Sequence, residues 1–192
     1  MTIKFGVAIF TIIVGILFIS SSCLRKNEKE ELQSKIAEKD NPYLKLRNKA
    51  LTLPPEDLNI SLPAKSVVVY GVVMDWEIGG SIVTTVAYNN GDASMYLSSG
   101  GGVIGGGAHK NINAAARLFV EKAAATISLN DNVAEKMPLP GKDYVAFYVL
   151  SNKGIFAKYE NLKNLKNNNS PLTELFDEGN KLIAELRLVS AK

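Results

Sequence analysis

The sequence predicts an α+β fold: a mostly antiparallel sheet of about five strands, in the order β-β-β-α-β-β-α, with two main helices packed on it. Two turn signals, Gly79-Gly80 and Asn90-Gly91, each lie between apolar segments and predict β-hairpins, because glycine and asparagine adopt the positive φ angles of tight turns. Two longer segments repeat apolar residues at helical spacing. Consecutive hairpins favour an antiparallel sheet with its helices in a separate layer, rather than alternating βαβ units.

The first three strands are predicted one after another. Val67–Trp76 is almost continuously apolar, which is typical of a central strand covered on both faces. Ser81–Tyr88 and Ala93–Ser99 follow across the two turns. Asp75 and Glu77 lie two residues apart, so they share a face of the first strand. We interpret them as solvated surface charges rather than as an acid–base pair.

The second half adds two helices and a hairpin. One helix is predicted over Asn113–Ile127, and the last helix begins at Ser170-Pro171, because serine caps helices and proline fits the first helical position. Between them, Tyr144–Leu150 and Gly154–Tyr159 form a hairpin, and the polar segment Asn161–Asn169 is predicted to be a loop. The apolar stripes of the two helices consist of Ala116, Phe119, Val120, Ala123 and Ile127, and of Leu172, Leu175, Phe176, Gly179, Leu182, Ile183 and Leu186.

The N-terminus predicts export and attachment to a membrane. Phe5–Ile19 carries no charge, and small residues lead from it to Cys23, the only cysteine. This pattern resembles a bacterial lipoprotein signal, which implies removal of residues 1–22, lipidation of Cys23 and a place in the bacterial cell envelope. Ser20 stands where such signals usually carry leucine, so an uncleaved single-helix anchor is the alternative.

Residues 23–41 read as the lipidated cysteine followed by a charged, solvated spacer, and residues 42–192 as one α+β domain. Tyr43–Leu51 is predicted to form a short helix that ends before Pro54-Pro55.

Composition excludes several function classes. With 22 basic and 19 acidic residues the net charge is only +3, and no basic stripe alternates with aromatics, so we expect no nucleic-acid partner. A single histidine and a single cysteine are too few for a structural zinc site, so we predict no metal and no cofactor.

A glycine-rich segment is the one candidate site. In the functional interpretation, its backbone N–H groups and the neighbouring side chains surround a small anionic or polar ligand. In the structural interpretation, the glycines allow a tight connection at the sheet edge, with Val103 and Ile104 tucked inward. The candidate ligand-binding residues are Ser98, Ser99, Gly100, Gly101, Gly102, Gly105, Gly106, Gly107, His109 and Lys110.

Two nucleotide motifs are rejected for this segment. Gly100, Gly102 and Gly105 match G-x-G-x-x-G, but a dinucleotide site needs a helix that opens within the glycines and a βαβ unit around it. A P-loop requires lysine where Gly107 stands.

Several segments together resemble an uncharacterised family of small bacterial proteins. They are Tyr70–Met74, Met95–Gly107, Ala114–Ala116, Pro138–Pro140 with Val145–Phe147, and Pro171–Phe176. The order of elements is also loosely similar to profilin-like modules such as roadblock and longin domains, which mostly bind other proteins. The resemblance implies an α+β fold and adds no assigned activity.

Three functions follow as hypotheses. The first is a membrane-tethered, non-enzymatic interaction module that recognises a protein partner. The second is a protein that binds a small anionic or polar ligand at the glycine-rich segment. The third is a hydrolase in which His109 activates Ser98 or Ser99, although no G-x-S-x-G motif is present.

Overall fold

The computed structural model describes residues 41–63, 65–128 and 131–190. Contacts divide the chain into two units, Met1–Lys45 and Leu46–Lys192, and the division falls inside helix α1 (Pro42–Thr52). The predicted signal segment, Cys23 and the spacer up to residue 40 lie outside the described residues. No helix in the three ranges is both long and apolar enough to span a bilayer.

The second unit contains the predicted strands and helices. After α1 come a 3-10 turn, Pro55–Leu58, and the strands β1 (Val69–Ile78), β2 (Ser81–Tyr88), β3 (Ala93–Leu97) and β4 (Gly102–Val103). A second 3-10 turn, Gly106–Ala108, leads into α2 (Lys110–Ala125). The remaining elements are β5 (Tyr144–Ser151), β6 (Gly154–Asn161), α3 (Leu162–Lys166) and α4 (Thr173–Ser190).

The sheet has six strands in the order β4-β3-β2-β1-β5-β6, and every neighbouring pair is antiparallel. The prediction of an α+β fold with a hairpin-built sheet and two main helices is confirmed. The sixth strand is β4, a two-residue strand inside the glycine-rich segment. It folds back on β3, with Gly102 opposite Tyr96 and Val103 opposite Met95.

One face of the sheet packs against α2 and α4. Helical spacing places apolar residues on the inner side of each helix, and both predicted stripes enter this core. Trp76 of β1 packs at its margin, with its ring 5.1 Å from that of Phe176 in an edge-to-face arrangement. The largest fully buried side chains of α2 and α4 are Phe119, Ile112, Leu175, Leu182 and Leu186.

The opposite face of the sheet, which we call the second face, is covered as well. The hydroxyl of Tyr88 donates to the carbonyl of Ala50 in α1 at 2.9 Å, and that of Tyr70 donates to the carbonyl of Leu53 at 3.2 Å. Successive residues of a strand point to opposite faces. The complete burial of neighbours in β1 therefore confirms that this strand is covered on both sides, as its continuous apolar run predicted.

Four local predictions are corrected. Asp75 is not a solvated charge, because it is 0% exposed and paired with Arg47. The segment Asn161–Asn169 contains α3, since Leu165 occurs within its polar residues and is buried in the core. Ile104 is not tucked inward, because it is 68% exposed. The helix predicted from Asn113 begins three residues earlier, at Lys110.

Candidate functional site

The glycine-rich segment forms a hairpin, a 3-10 turn and a helix start. Ser98 to Gly101 make the turn between β3 and β4, and Gly102 lies in β4. Gly105 precedes the 3-10 turn that holds Gly106 and Gly107. His109 is the N-cap of α2 but makes no side-chain capping bond, and Lys110 is the first residue of that helix.

The two serines do not form a catalytic arrangement with His109. The Ser98 hydroxyl accepts a hydrogen bond from the N–H of Ile82 at 2.8 Å, and the Ser98 N–H donates to the Ile82 carbonyl at 2.9 Å. Ser98 therefore fastens the β3–β4 turn to β2. Across residues 65–128, no hydrogen bond joins Ser98 or Ser99 to His109, which is exposed. A nucleophile–base pair needs such a bond within reach, so these residues offer little support for hydrolysis.

Three of the glycines are required by close packing. A Cβ on Gly102 would overlap the carbonyl oxygen of Met95 on the paired strand. On Gly106 it would lie 2.8 Å from Cδ2 of Leu186 in α4, and on Gly107 2.9 Å from the carbonyl oxygen of Gly91. Real Cβ atoms do not approach other atoms this closely without a shift of the surrounding structure. These glycines let the segment lie against α4 and the β2–β3 turn.

The other glycines of the segment face open space with positive φ angles, and their backbone groups serve turns. The Gly100 N–H donates to Leu97, and the Gly101 carbonyl accepts from the Leu97 N–H. The Gly105 N–H donates to the Ser94 hydroxyl at 3.3 Å. The His109 N–H returns to the Gly106 carbonyl. These groups bond to different acceptors, whereas an anion site would direct them to one point.

A polar network that the sequence did not reveal holds this segment in place. Arg117 donates to the carbonyls of Asn89 and Asn90 at 2.7 and 2.6 Å, and its Nε donates to Asn113 at 2.9 Å. The Asn113 amide in turn donates to Asn90 and to Gly107. The β2–β3 turn, the glycine-rich segment and α2 are therefore joined through one arginine and one asparagine. In the sequence, this network is indicated by the four-residue spacing of Asn113 and Arg117, which places both on one side of a helix.

The two most exposed large apolar side chains among residues 41–63, 65–128 and 131–190 lie in or beside two elements that contact each other. Ile104 is 68% exposed and follows β4, and Leu188 is 63% exposed near the end of α4. β4 contacts α4, and Gly106 packs against Leu186, two residues before Leu188 in α4. A groove of about 310 Å³ is lined by both His109 and Leu188. We call Ile104 and Leu188 the apolar pair.

A buried charge cluster lies on the second face. Arg47 of α1 contacts Asp75 of β1 at 2.6 and 2.7 Å, and Thr84 of β2 donates to the other carboxylate oxygen at 2.6 Å. Arg47 also donates to the carbonyl of Met137 and lies 5.3 Å from the ring centre of Tyr148. Burial raises the pKa of Asp75, while Arg47 and Thr84 act in the opposite direction. This cluster is closed to solvent and holds α1 against β1 and β2.

Comparisons with known proteins add no family or function to the candidate site. In the ranges 41–63, 65–128 and 131–190, no group of three or more histidine, cysteine, aspartate or glutamate residues is arranged to hold a metal ion. The resemblance to the small bacterial family and to profilin-like modules remains a prediction from the sequence. Searches of protein-family models, of curated proteins and of solved structures find no match to this chain.

Proposed function

We propose that this chain is a membrane-tethered, non-enzymatic interaction module, anchored in the bacterial cell envelope through Cys23, that recognises a protein partner with the apolar pair. The exposure of Ile104 and Leu188 is the observation that supports this proposal. Single exposed apolar residues are ordinary. Two in or beside elements that contact each other, one of which lines a groove, are more typical of a contact surface.

The energetics favour such a role. Full burial of an isoleucine or leucine side chain is worth about 1.5–3 kcal/mol. The pair could therefore contribute several kcal/mol when a partner covers it. The small-ligand hypothesis has weaker support, because the N–H groups of Gly100, Gly105 and His109 donate to acceptors within the protein.

The test is affinity capture from detergent-solubilised membranes of the native cell. The double variant Ile104→Ser with Leu188→Ser removes the apolar pair without touching the core. The matched control is Leu118→Ser with Leu139→Ser, which changes two apolar residues that are 37% and 40% exposed elsewhere. We expect the wild type and the control to recover the same partner, and the double variant to lose it. Equal recovery by all three folded proteins would refute the role of the pair.

A further inference from the structure

We propose that residues 46–52 of α1, which we call the cover segment, release from the second face as a unit while the sheet, α2 and α4 stay folded. The latch is the buried Arg47–Asp75 ion pair. This inference does not rest on the proposed function, because it concerns the opposite face of the sheet and residues that the partner-binding proposal does not use.

The cover segment stands outside the main hydrophobic core. The buried cluster beneath α2 and α4 includes side chains from β1, β2, β3, β5 and β6, and from α2, α3 and α4. It includes none from the cover segment, although Ala50 and Leu51 are themselves buried. Segments with few apolar contacts to the core open at a lower free energy than the molecule as a whole.

Besides the buried apolar residues Ala50 and Leu51, the cover segment is held by several polar contacts. Tyr88 donates to the Ala50 carbonyl, and Arg47 bonds to Asp75 and to the Met137 carbonyl. Tyr70 donates to Leu53, the residue that follows the segment. Water can replace each of these bonds when the segment opens, so a hydrogen bond contributes far less net stability than its strength in isolation.

The ion pair has the properties of a latch. Arg47 is 3% exposed and Asp75 is 0% exposed, whereas every other ion pair in residues 41–63, 65–128 and 131–190 includes a side chain at least 24% exposed. A buried pair demands correct geometry, so it fixes one docked position. Both ions regain their hydration on release, so the pair resists opening less than apolar packing of the same volume.

Release would link force on the chain before α1 to exposure of the second face of the sheet. In sequence, the cover segment precedes every other element of the second unit. A pull on the chain before α1 therefore acts on this segment first. Opening would uncover the tyrosine hydroxyls and the Asp75 carboxylate of the second face.

Hydrogen exchange on the full-length chain in detergent tests the proposal. Under conditions in which exchange reports opening equilibria, we expect the amides of residues 47–52 to be at least about 100-fold less protected than those of residues 146–149 in β5. Equal protection of the two segments in the wild type would overturn the proposal, because the cover would then open only when the whole molecule unfolds.

Two variants separate release from general destabilisation. Asp75→Asn replaces the buried carboxylate that bonds to Arg47 and Thr84 with a neutral amide, so exchange of residues 47–52 should rise by roughly 100-fold. Leu182→Ala weakens the core beneath α4, so it should speed exchange in β5 and leave residues 47–52 unchanged. If Leu182→Ala accelerates both segments equally, or Asp75→Asn leaves the cover unchanged, the latch does not exist. Should Asp75→Asn fail to fold, the wild type and Leu182→Ala still decide the outcome.

Discussion

Two adjacent threonines in β2 show how hydrogen bonding decides whether a buried hydroxyl stabilises the folded protein. Both are fully buried. Thr84 faces Asp75 on the second face and donates to its carboxylate at 2.6 Å. Thr85 points to the other face, and its hydroxyl is buried without a partner. The same chemical group therefore stabilises at one position and costs free energy at the next.

Replacing each threonine with the isosteric valine measures this difference. We expect Thr84→Val to lower the free energy of unfolding by about 1.5–3 kcal/mol, because the carboxylate loses a charge-assisted hydrogen bond. Thr85→Val should leave stability unchanged or raise it by about 1 kcal/mol, because it removes an unsatisfied hydroxyl. Urea unfolding monitored by circular dichroism gives both values. A larger loss for Thr85→Val than for Thr84→Val would contradict the assignment of the two faces.

Buried tyrosines predict sensitivity to alkaline pH. Burial raises the pKa of Tyr70, Tyr88, Tyr96 and Tyr148 above the ordinary value of 10.0. In the unfolded chain these hydroxyls ionise near pH 10, while the folded protein keeps their protons. Between the two pKa values the unfolded state binds fewer protons, so stability falls as pH rises, by up to about 1.4 kcal/mol per pH unit for each tyrosine.

Unfolding free energies measured from pH 8 to 11 test this expectation. We expect a plateau up to about pH 9.5 and a steep decline above it. Tyr88→Phe should reduce the slope of the decline, because one of the tyrosines then no longer titrates. A slope identical to that of the wild type would show that Tyr88 does not contribute.

At the scale of elements, the hairpins and the two long helices could be predicted because each carries a local signal. Gly79-Gly80 and Asn90-Gly91 marked the turns, and helical spacing marked the stripes of α2 and α4. The burial of Asp75 could not be predicted, because its partner Arg47 is 28 residues away and sequence spacing gives no sign of their contact. β4 escaped prediction because two residues carry no periodicity.

The glycine-rich element can be tested by one substitution and its control. Gly107→Ala should lower the free energy of unfolding by about 1–3 kcal/mol, because the added methyl overlaps Asp92 and the Gly91 carbonyl. Gly141→Ala is the control, since nothing lies within 4 Å of its Cβ position and its φ is not positive. There we expect no loss, and a gain of up to about 1 kcal/mol. Similar effects at both positions, measured by thermal unfolding, would disprove the packing role of Gly107.

At the scale of the whole molecule, the sequence predicts where the candidate site lies, and the structure shows how its glycines pack. The sequence marks the glycine-rich segment as unusual, because six glycines in eight residues are conspicuous. It could not distinguish a ligand loop from a packed connection, since that depends on what each missing Cβ would meet. The contacts of Gly102, Gly106 and Gly107 favour the packed connection. The exposure of Ile104 instead favours a contact surface formed by the apolar pair.

The proposed interaction function requires an exported chain that Cys23 holds at a membrane. The most direct test is intact-mass analysis of the protein purified from membranes of its own cells. We expect a chain that begins at Cys23, with a mass increased by acyl chains on that residue, and its loss from the membrane fraction in Cys23→Ser. A chain that retains Met1 and occurs in the soluble fraction would contradict the tether and the interaction role built on it.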